Sequence, residues 1–212
     1  FLLVKGLEVA VFPPPESSKI AVEWFYSKLF KTLDSIDDSF GKYRISEALM
    51  EVYKLFWDEF SSWYLEMIKP AYGKGIDRST YSDTLCFFDN LLKLLHPFMP
   101  FITEELWQQM YERDGGESIM TQFLGMDTYV DEDVVTGFDM TKEVISNIRS
   151  IRLQKNIAQK EPLELQVVGQ NPVSYFSSVI IKMCNLSAIT VVETKAEGAA
   201  SFMIGTTEYA VP

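Results

Sequence analysis

The stretch from residue 46 to residue 69 constrains the fold of this chain more than any other. Two apolar series run side by side through it with helical spacing, so two adjacent faces of one helix are apolar. The first series is Leu49, Val52, Phe56, Phe60, Trp63 and Met67, and the second is Tyr53, Trp57, Tyr64 and Ile68. A helix with two apolar faces is buried on more than one side, and Pro70 ends it. The pattern predicts the central helix of a helical bundle.

Further helices are predicted around this central one. Apolar residues from Val22 to Phe40 repeat at three and four, which indicates a first helix with one buried stripe. A third helix is predicted over 79–95, a fourth from a capping Thr103, and a fifth over 140–153. The acidic segment 117–139 between the last two is predicted to be an irregular connection.

Beyond residue 160 the pattern changes to short strands and one helix. Strands are predicted over 163–168, 189–193 and 201–211, the last interrupted by a turn at Gly205-Thr206, with a helix over 172–184. The fold class is therefore mainly α, a helical bundle with a small C-terminal α/β appendage. We expect a tail of a preceding region at 1–16, the bundle at 17–158 and the α/β subdomain at 159–212.

Composition excludes several classes of protein and of site. The two cysteines of this 212-residue chain cannot form a disulfide framework, which favours a reducing compartment. One histidine cannot supply a His/Cys metal cluster, so no metal site is expected. No glycine-rich phosphate loop and no nucleophile with a neighbouring base is present, so no catalytic residue is expected. The net charge of −11 argues against nucleic acid unless basic residues cluster locally.

The first basic cluster lies on the first helix. Trp24, Lys28 and Lys31 share a face that the buried stripe does not need. Aromatic rings stack on the bases of single-stranded RNA, and basic side chains hold its phosphates. This pattern predicts an RNA-binding face. The alternative, equally weighted on the residues alone, is that Trp24 packs against a neighbouring element and that both lysines are solvated.

Two further basic clusters follow along the chain. Lys42, Tyr43 and Arg44 precede the central helix, and the alternative there is a solvated loop. The second cluster lies within 140–160, where five basic residues and one acidic residue give a local charge of +4. Its basic members are Lys142, Arg149, Arg152, Lys155 and Lys160. It indicates either a phosphate contact or a solvated end of the fifth helix.

Two segments resemble a known family. They are KYRISEALMEVYKLFWDEFSSWYLEMIKP at 42–70 and LLKLLHPFMPFITEELWQQM at 91–110. Both are similar to the anticodon-binding domain of class I aminoacyl-tRNA synthetases, and the run from Trp57 to Pro70 is most similar to the bacterial valine enzymes. Glu117 to Met120 and IRSIRLQKNI at 148–157 also resemble the valine enzymes. Lys28 and Phe30 depart from the family, which often has Arg and Asn there.

The resemblance implies a fragment of an enzyme that attaches valine to its tRNA using ATP. The fragment lacks the catalytic and editing domains, so ATP and Mg²⁺ belong to the parent enzyme and no cofactor is expected here. The implied partners are the anticodon stem-loop of valine tRNA and, in the same chain, the catalytic domain and a C-terminal coiled coil. We expect no membrane partner. We expect the protein to be a monomer in the cytoplasm. The implied tRNA contacts are Trp24, Lys28, Lys31, Lys42, Arg44, Arg149 and Arg152.

Two other functions remain open on the sequence. One is a structural brace that docks on the rest of the enzyme with little RNA contact, for which Trp107 and residues 1–12 would supply the interface. The other is a free-standing helical adaptor for protein partners.

Overall fold

The computed structural model describes residues 8–113, 115–124 and 129–212. The chain forms two compact units, Phe1–Val130 and Asp131–Pro212. This division precedes the predicted boundary at 158/159, because the helix that we assigned to the bundle makes its contacts with the helix and sheet of the second unit. Among the described residues, no helix is both long enough and apolar enough to cross a bilayer.

The first unit is helical, as predicted. Its elements are β1 (Val9–Ala10), α1 (Glu16–Gly41), α2 (Ile45–Lys54), a π-helix (Leu55–Tyr64), α3 (Leu65–Ile68), β2 (Ile76–Asp77), α4 (Arg78–Leu95), α5 (Pro100–Met110) and a 3-10 turn (Ile119–Thr121). The segments α2, π-helix and α3 follow one another without a break, so they form the long helix that the sequence predicts. It ends at Ile68, two residues before Pro70.

Aromatic rings form the centre of this unit. Phe25 of α1 lies 5.3 Å from Phe60, 5.1 Å from Tyr64 and 5.0 Å from Phe87 of α4, measured between ring centroids. The hydroxyl of Tyr64 is hydrogen-bonded to that of Thr84 at 2.8 Å, which satisfies its polar atom in the core. Each such aromatic pair contributes about 0.5–1.5 kcal/mol beyond the burial of its area. The first and long helices are therefore fixed against α4 by ring packing.

Helix α5 begins one turn earlier than predicted. Its first residue is Pro100, because proline is favoured at the first helical position, where an amide hydrogen is not needed. Thr103 is buried inside the first turn and donates to the carbonyl of Met99 at 2.8 Å. The same hydroxyl lies 2.7 Å from Nδ1 of His96, which therefore donates to it. His96 thus has a hydrogen-bond partner within this unit.

The second unit joins one long helix to a four-stranded sheet. Its elements are α6 (Glu132–Gln154), β3 (Leu163–Val168), a 3-10 turn (Ser174–Phe176), α7 (Ser177–Cys184), β4 (Leu186–Val192), β5 (Ala200–Ile204) and β6 (Thr207–Val211). The strand order is β4-β3-β6-β5, with β3 and β4 parallel and the other pairs antiparallel. The α7 crossover allows the parallel pairing, and the predicted turn at Gly205-Thr206 joins β5 to β6. The mainly α class with a small α/β appendage is confirmed.

Helix α6 corrects the prediction of an irregular connection through residue 139. Its N-cap is Asp131, whose carboxylate accepts from the backbone amides of Asp133 and Val134. Glu132 and Asp133 lie in the first turn, where the positive end of the helix dipole stabilises acidic groups. The acidic run that we interpreted as a loop is therefore the start of the helix.

Candidate nucleic-acid interface

The predicted RNA-binding face on the first helix is not available as we expected. Trp24 is 0% exposed, and its ring packs edge-on against Phe25 at 5.9 Å. The prediction of an exposed indole is wrong because α1 is covered on more than one side. Ala21 and Ser27, next to Trp24 on the helix surface, are also buried, and small residues allow a second neighbour to approach closely. These small residues are the pattern that could have revealed the second buried face.

The two lysines of that face have different surroundings. The Lys28 ammonium lies 3.5 Å from the carboxylate of Glu59 on the π-helix, and the two side chains are 23% and 16% exposed. This pair joins α1 to the long helix through partly desolvated charges. Lys31 is exposed. Roles of Lys28 and Lys31 in binding RNA stay predictions, and neither has the exposed indole that we expected beside it.

The Lys42-Tyr43-Arg44 cluster forms a tight exposed turn between α1 and α2. Backbone amides of all three residues donate to carbonyls at the end of α1, so the turn is held rigidly. Tyr43 has φ 59, an uncommon conformation for a side chain of this size, and its ring is 89% exposed. Lys42 pairs with Asp38 at 2.6 Å and Arg44 with Glu47 at 3.4 Å, both at the solvated surface. The turn therefore presents an aromatic ring between two exposed cations.

An exposed apolar stripe continues from this turn along the long helix. Tyr53 is 52% exposed and Trp57 is 57% exposed, although the sequence predicts both to be buried. The stripe also contains Ile45, Leu49 and Met50. The prediction fails because Ala48 and Val52 supply the packing face of α2, leaving the adjacent face uncovered.

One more cation lies on this stripe. Lys54 is exposed and lies one helical turn from both Met50 and Trp57. Within the described part of the chain, its ammonium forms no hydrogen bond or ion pair. We define the exposed aromatic-basic surface as Lys42, Tyr43, Arg44, Tyr53, Lys54 and Trp57. Sequence reasoning found its first three members and missed the others, because it counted Tyr53 and Trp57 as core.

The π-helix explains how one helix has outward aromatics at its start and inward aromatics at its end. Backbone hydrogen bonds in a π-helix close five residues apart instead of four, so its turns are wider and the side-chain faces shift. Trp57 points to solvent, whereas Phe60 and Tyr64 are buried and stacked at 5.4 Å with 16° between their planes. π-Helical turns occur frequently at functional sites. This segment therefore contributes Trp57 to the exposed aromatic-basic surface and Phe60 and Tyr64 to the aromatic core.

The basic cluster of the second unit is divided between surface and interior. Arg149 is exposed, but Arg152 is only 6% exposed. The Arg152 guanidinium donates to the carbonyls of Ala158 at 2.9 Å, Cys184 at 2.8 Å and Asn185 at 3.2 Å. The prediction that Arg152 contacts RNA is wrong in this arrangement, because its donors are engaged by backbone. A role for Arg149 stays a prediction.

Trp107 does not offer the interface that a brace would need. It is 1% exposed, its indole nitrogen donates to Asp89 at 2.7 Å, and the guanidinium of Arg113 lies 3.2 Å from its ring centroid. Asp89 also pairs with Lys93 at 2.6 Å, so this network ties α5 to α4. Of residues 1–12, those before residue 8 lie outside the described residues. Val9 and Ala10 pair in parallel with Ile76 and Asp77 of the same unit.

Comparison with known families now decides what kind of domain carries this surface. A family model described as the anticodon-binding domain of tRNA ligase matches residues 22–167. The chain belongs to this family. The resemblance seen in the sequence is therefore confirmed, and the match includes the whole exposed aromatic-basic surface of the anticodon-binding domain.

Several relatives of this anticodon-binding domain are much longer proteins. The valine–tRNA ligase of Bacteroides thetaiotaomicron is 70% identical over 100% of this chain and 24% of its own length. That of Phocaeicola vulgatus is 67% identical over the same shares. The valine–tRNA ligase of Bacillus cereus is 28% identical over 81% of this chain. The chain thus spans about a quarter of the length of these Bacteroides and Phocaeicola relatives.

Proposed function

We propose that this chain is the anticodon-binding part of a valine–tRNA ligase and binds the anticodon stem-loop of valine tRNA. The family match and the valine–tRNA ligases among its relatives support this proposal. The parent enzyme attaches valine to its tRNA using ATP, and ATP and Mg²⁺ bind to its catalytic domain. We expect that catalytic domain and a C-terminal coiled coil in the same chain, and a monomer in the cytoplasm.

The observation that carries the proposal is the exposed aromatic-basic surface. Unpaired bases of an RNA loop stack on aromatic rings, and lysine and arginine neutralise the adjoining phosphates. Tyr43, Tyr53 and Trp57 supply exposed rings, and Lys42, Arg44 and Lys54 lie among them. A large exposed apolar surface on a helix is itself typical of a binding site. The proposed site is therefore the turn and long helix, with Lys31 on the neighbouring helix as a further predicted contact.

The test is a filter-binding titration of this chain with valine tRNA. Stacking of one base on an aromatic ring contributes about 1–3 kcal/mol, so Trp57→Ala should weaken binding roughly 5- to 150-fold. Lys54→Ala should weaken it less and reduce its dependence on salt. Tyr72→Ala is the matched control, because Tyr72 is a fully exposed aromatic residue outside the surface. Wild-type affinity in both Trp57→Ala and Lys54→Ala would contradict the proposed site.

A structural brace is the second candidate, and one observation favours it. Ile45, Leu49 and Met50 extend the exposed surface with aliphatic groups, which pack against protein more readily than against RNA. Photocrosslinking of bound tRNA to the intact ligase distinguishes the two functions. Adducts on residues 42–57 support RNA binding, whereas adducts confined to other domains support the brace.

A further inference from the structure

The loop after α6 is held in one conformation by two side chains. Arg152 donates to the carbonyl of Ala158 in the loop and to the carbonyls of Cys184 and Asn185 at the end of α7. Asn185 in turn donates through its side-chain amide to the carbonyl of Gln159 at 3.1 Å. The segment 155–160 is therefore fixed against the end of α7. Any side chain that it presents to solvent starts from an ordered backbone.

The positive charge of Arg152 stabilises the C-terminal end of α7 within the second unit. The carbonyls at a helix C-terminus carry partial negative charge and lack helical partners. Arg152 satisfies those of Cys184 and Asn185, so the end of α7 is already balanced by one buried cation. The end of α7 therefore needs no further cation from the basic cluster within 140–160.

Two exposed lysines of this loop have no acidic partner among the described residues. Basic side chains elsewhere in the chain, such as Lys19, Lys42 and Lys93, lie within 4.0 Å of a carboxylate. Lys155 and Lys160 are exposed, and among the described residues neither ammonium forms an ion pair or hydrogen bond, even though Glu161 is the next residue. Arg149 is also exposed, and it lies one helical turn after Ile145, whose carbonyl accepts from the Cys184 thiol at the end of α7 at 4.0 Å.

We propose that Arg149, Lys155 and Lys160 form a second contact surface for tRNA, which binds phosphates of the RNA backbone. The inference rests on the proposed function, since it assigns a further site to the same ligand. Lysine acts on phosphate as a point charge and reads no sequence, so this surface would hold the RNA backbone without selecting its bases. The family match over 22–167 includes all three residues.

The test measures how tRNA affinity depends on salt. Each phosphate contact contributes about 0.7–0.9 to the slope of log K against log salt concentration. The double variant Lys155→Ala/Lys160→Ala should therefore reduce the slope by about 1.4–1.8. Lys19→Ala/Lys69→Ala is the matched control, because it removes the same charge from two exposed lysines that pair with acids, and its slope should stay near that of wild type. Lys155→Arg/Lys160→Arg should keep the wild-type slope.

Each other outcome has a separate meaning. An unchanged slope in the Lys155→Ala/Lys160→Ala variant, with normal binding by wild type, would overturn this inference and leave the proposed function intact. An equal loss in the control pair would also overturn it, because the effect would then follow net charge alone. Competition by millimolar inorganic phosphate at constant ionic strength would indicate a small-anion site instead of an RNA contact. Absence of tRNA binding by wild type would refute the proposed function itself.

Discussion

Replacing Trp24 by alanine tests whether this indole belongs to the core or to an RNA-binding face. A buried tryptophan removes about 150–250 Å² from water, which at about 25 cal/mol per Å² corresponds to about 4–6 kcal/mol. Residual compactness of the unfolded chain lowers that value. Since Trp24 is 0% exposed, we expect Trp24→Ala to lower the free energy of unfolding by about 3–5 kcal/mol.

Trp57 provides a control with the same residue type. Its side chain is 57% exposed, so Trp57→Ala should cost less than about 2 kcal/mol of stability while weakening tRNA binding. Urea denaturation followed by circular dichroism measures the first effect, and filter binding measures the second. Trp24→Phe, which keeps a ring in the core, should fold, lose about 1–2 kcal/mol and bind tRNA like wild type.

An exchange of these effects between the two tryptophans would contradict their assignment to core and surface. A loss of less than 1 kcal/mol in Trp24→Ala would show that the indole is not packed as described. Weakened tRNA binding by a stable Trp24→Phe variant would return Trp24 to the RNA-binding face.

Three further predictions concern buried polar groups. Arg152→Met should lower the free energy of unfolding by about 2–4 kcal/mol, since three carbonyls lose a charged donor; an unchanged urea midpoint would contradict this. Burial raises the pKa of Cys184 to about 11, so a thiol reagent at pH 8 should label Cys86 first and Cys184 only in urea. Rapid labelling of Cys184 in the folded Cys86→Ser variant would refute this prediction. Burial also raises the pKa of Tyr64, which favours its protonated form in the folded state, so stability should fall as the pH rises above about 10. Tyr64→Phe should flatten that decline, and an identical pH profile would show that Tyr64 is not responsible.

The bundle could be predicted from the sequence because its packing depends on periodicity. Phe25 lies on the apolar stripe of the first helix, Phe60 and Tyr64 lie on the two apolar series of the long helix, and all three are in the core. Periodicity shows which residues share a face, but it does not show how many neighbours cover the helix. Periodicity therefore predicts Trp24 to be exposed and Trp57 to be buried, and both predictions are wrong.

Local polar chemistry was harder to interpret. Asp131 was assigned to a loop because its acidic neighbours hid the start of a helix, although a capping aspartate followed by acids is favoured there. Arg152 was placed at the surface because a charged side chain is seldom buried, and its three carbonyl partners come from segments up to 33 residues away. No pattern within α6 reveals such partners.

The π-helical segment makes the function of the long helix depend on its length. One residue deleted between Leu55 and Tyr64 would remove part of the wider π-helical turns and change which side chains before and after it share a face. The aromatic core would then force Trp57 away from its present direction, even if every remaining side chain were unchanged. The direction of the outer rings in this helix depends on the number of residues between them and the inner rings. Relatives can therefore vary in composition here more safely than in spacing.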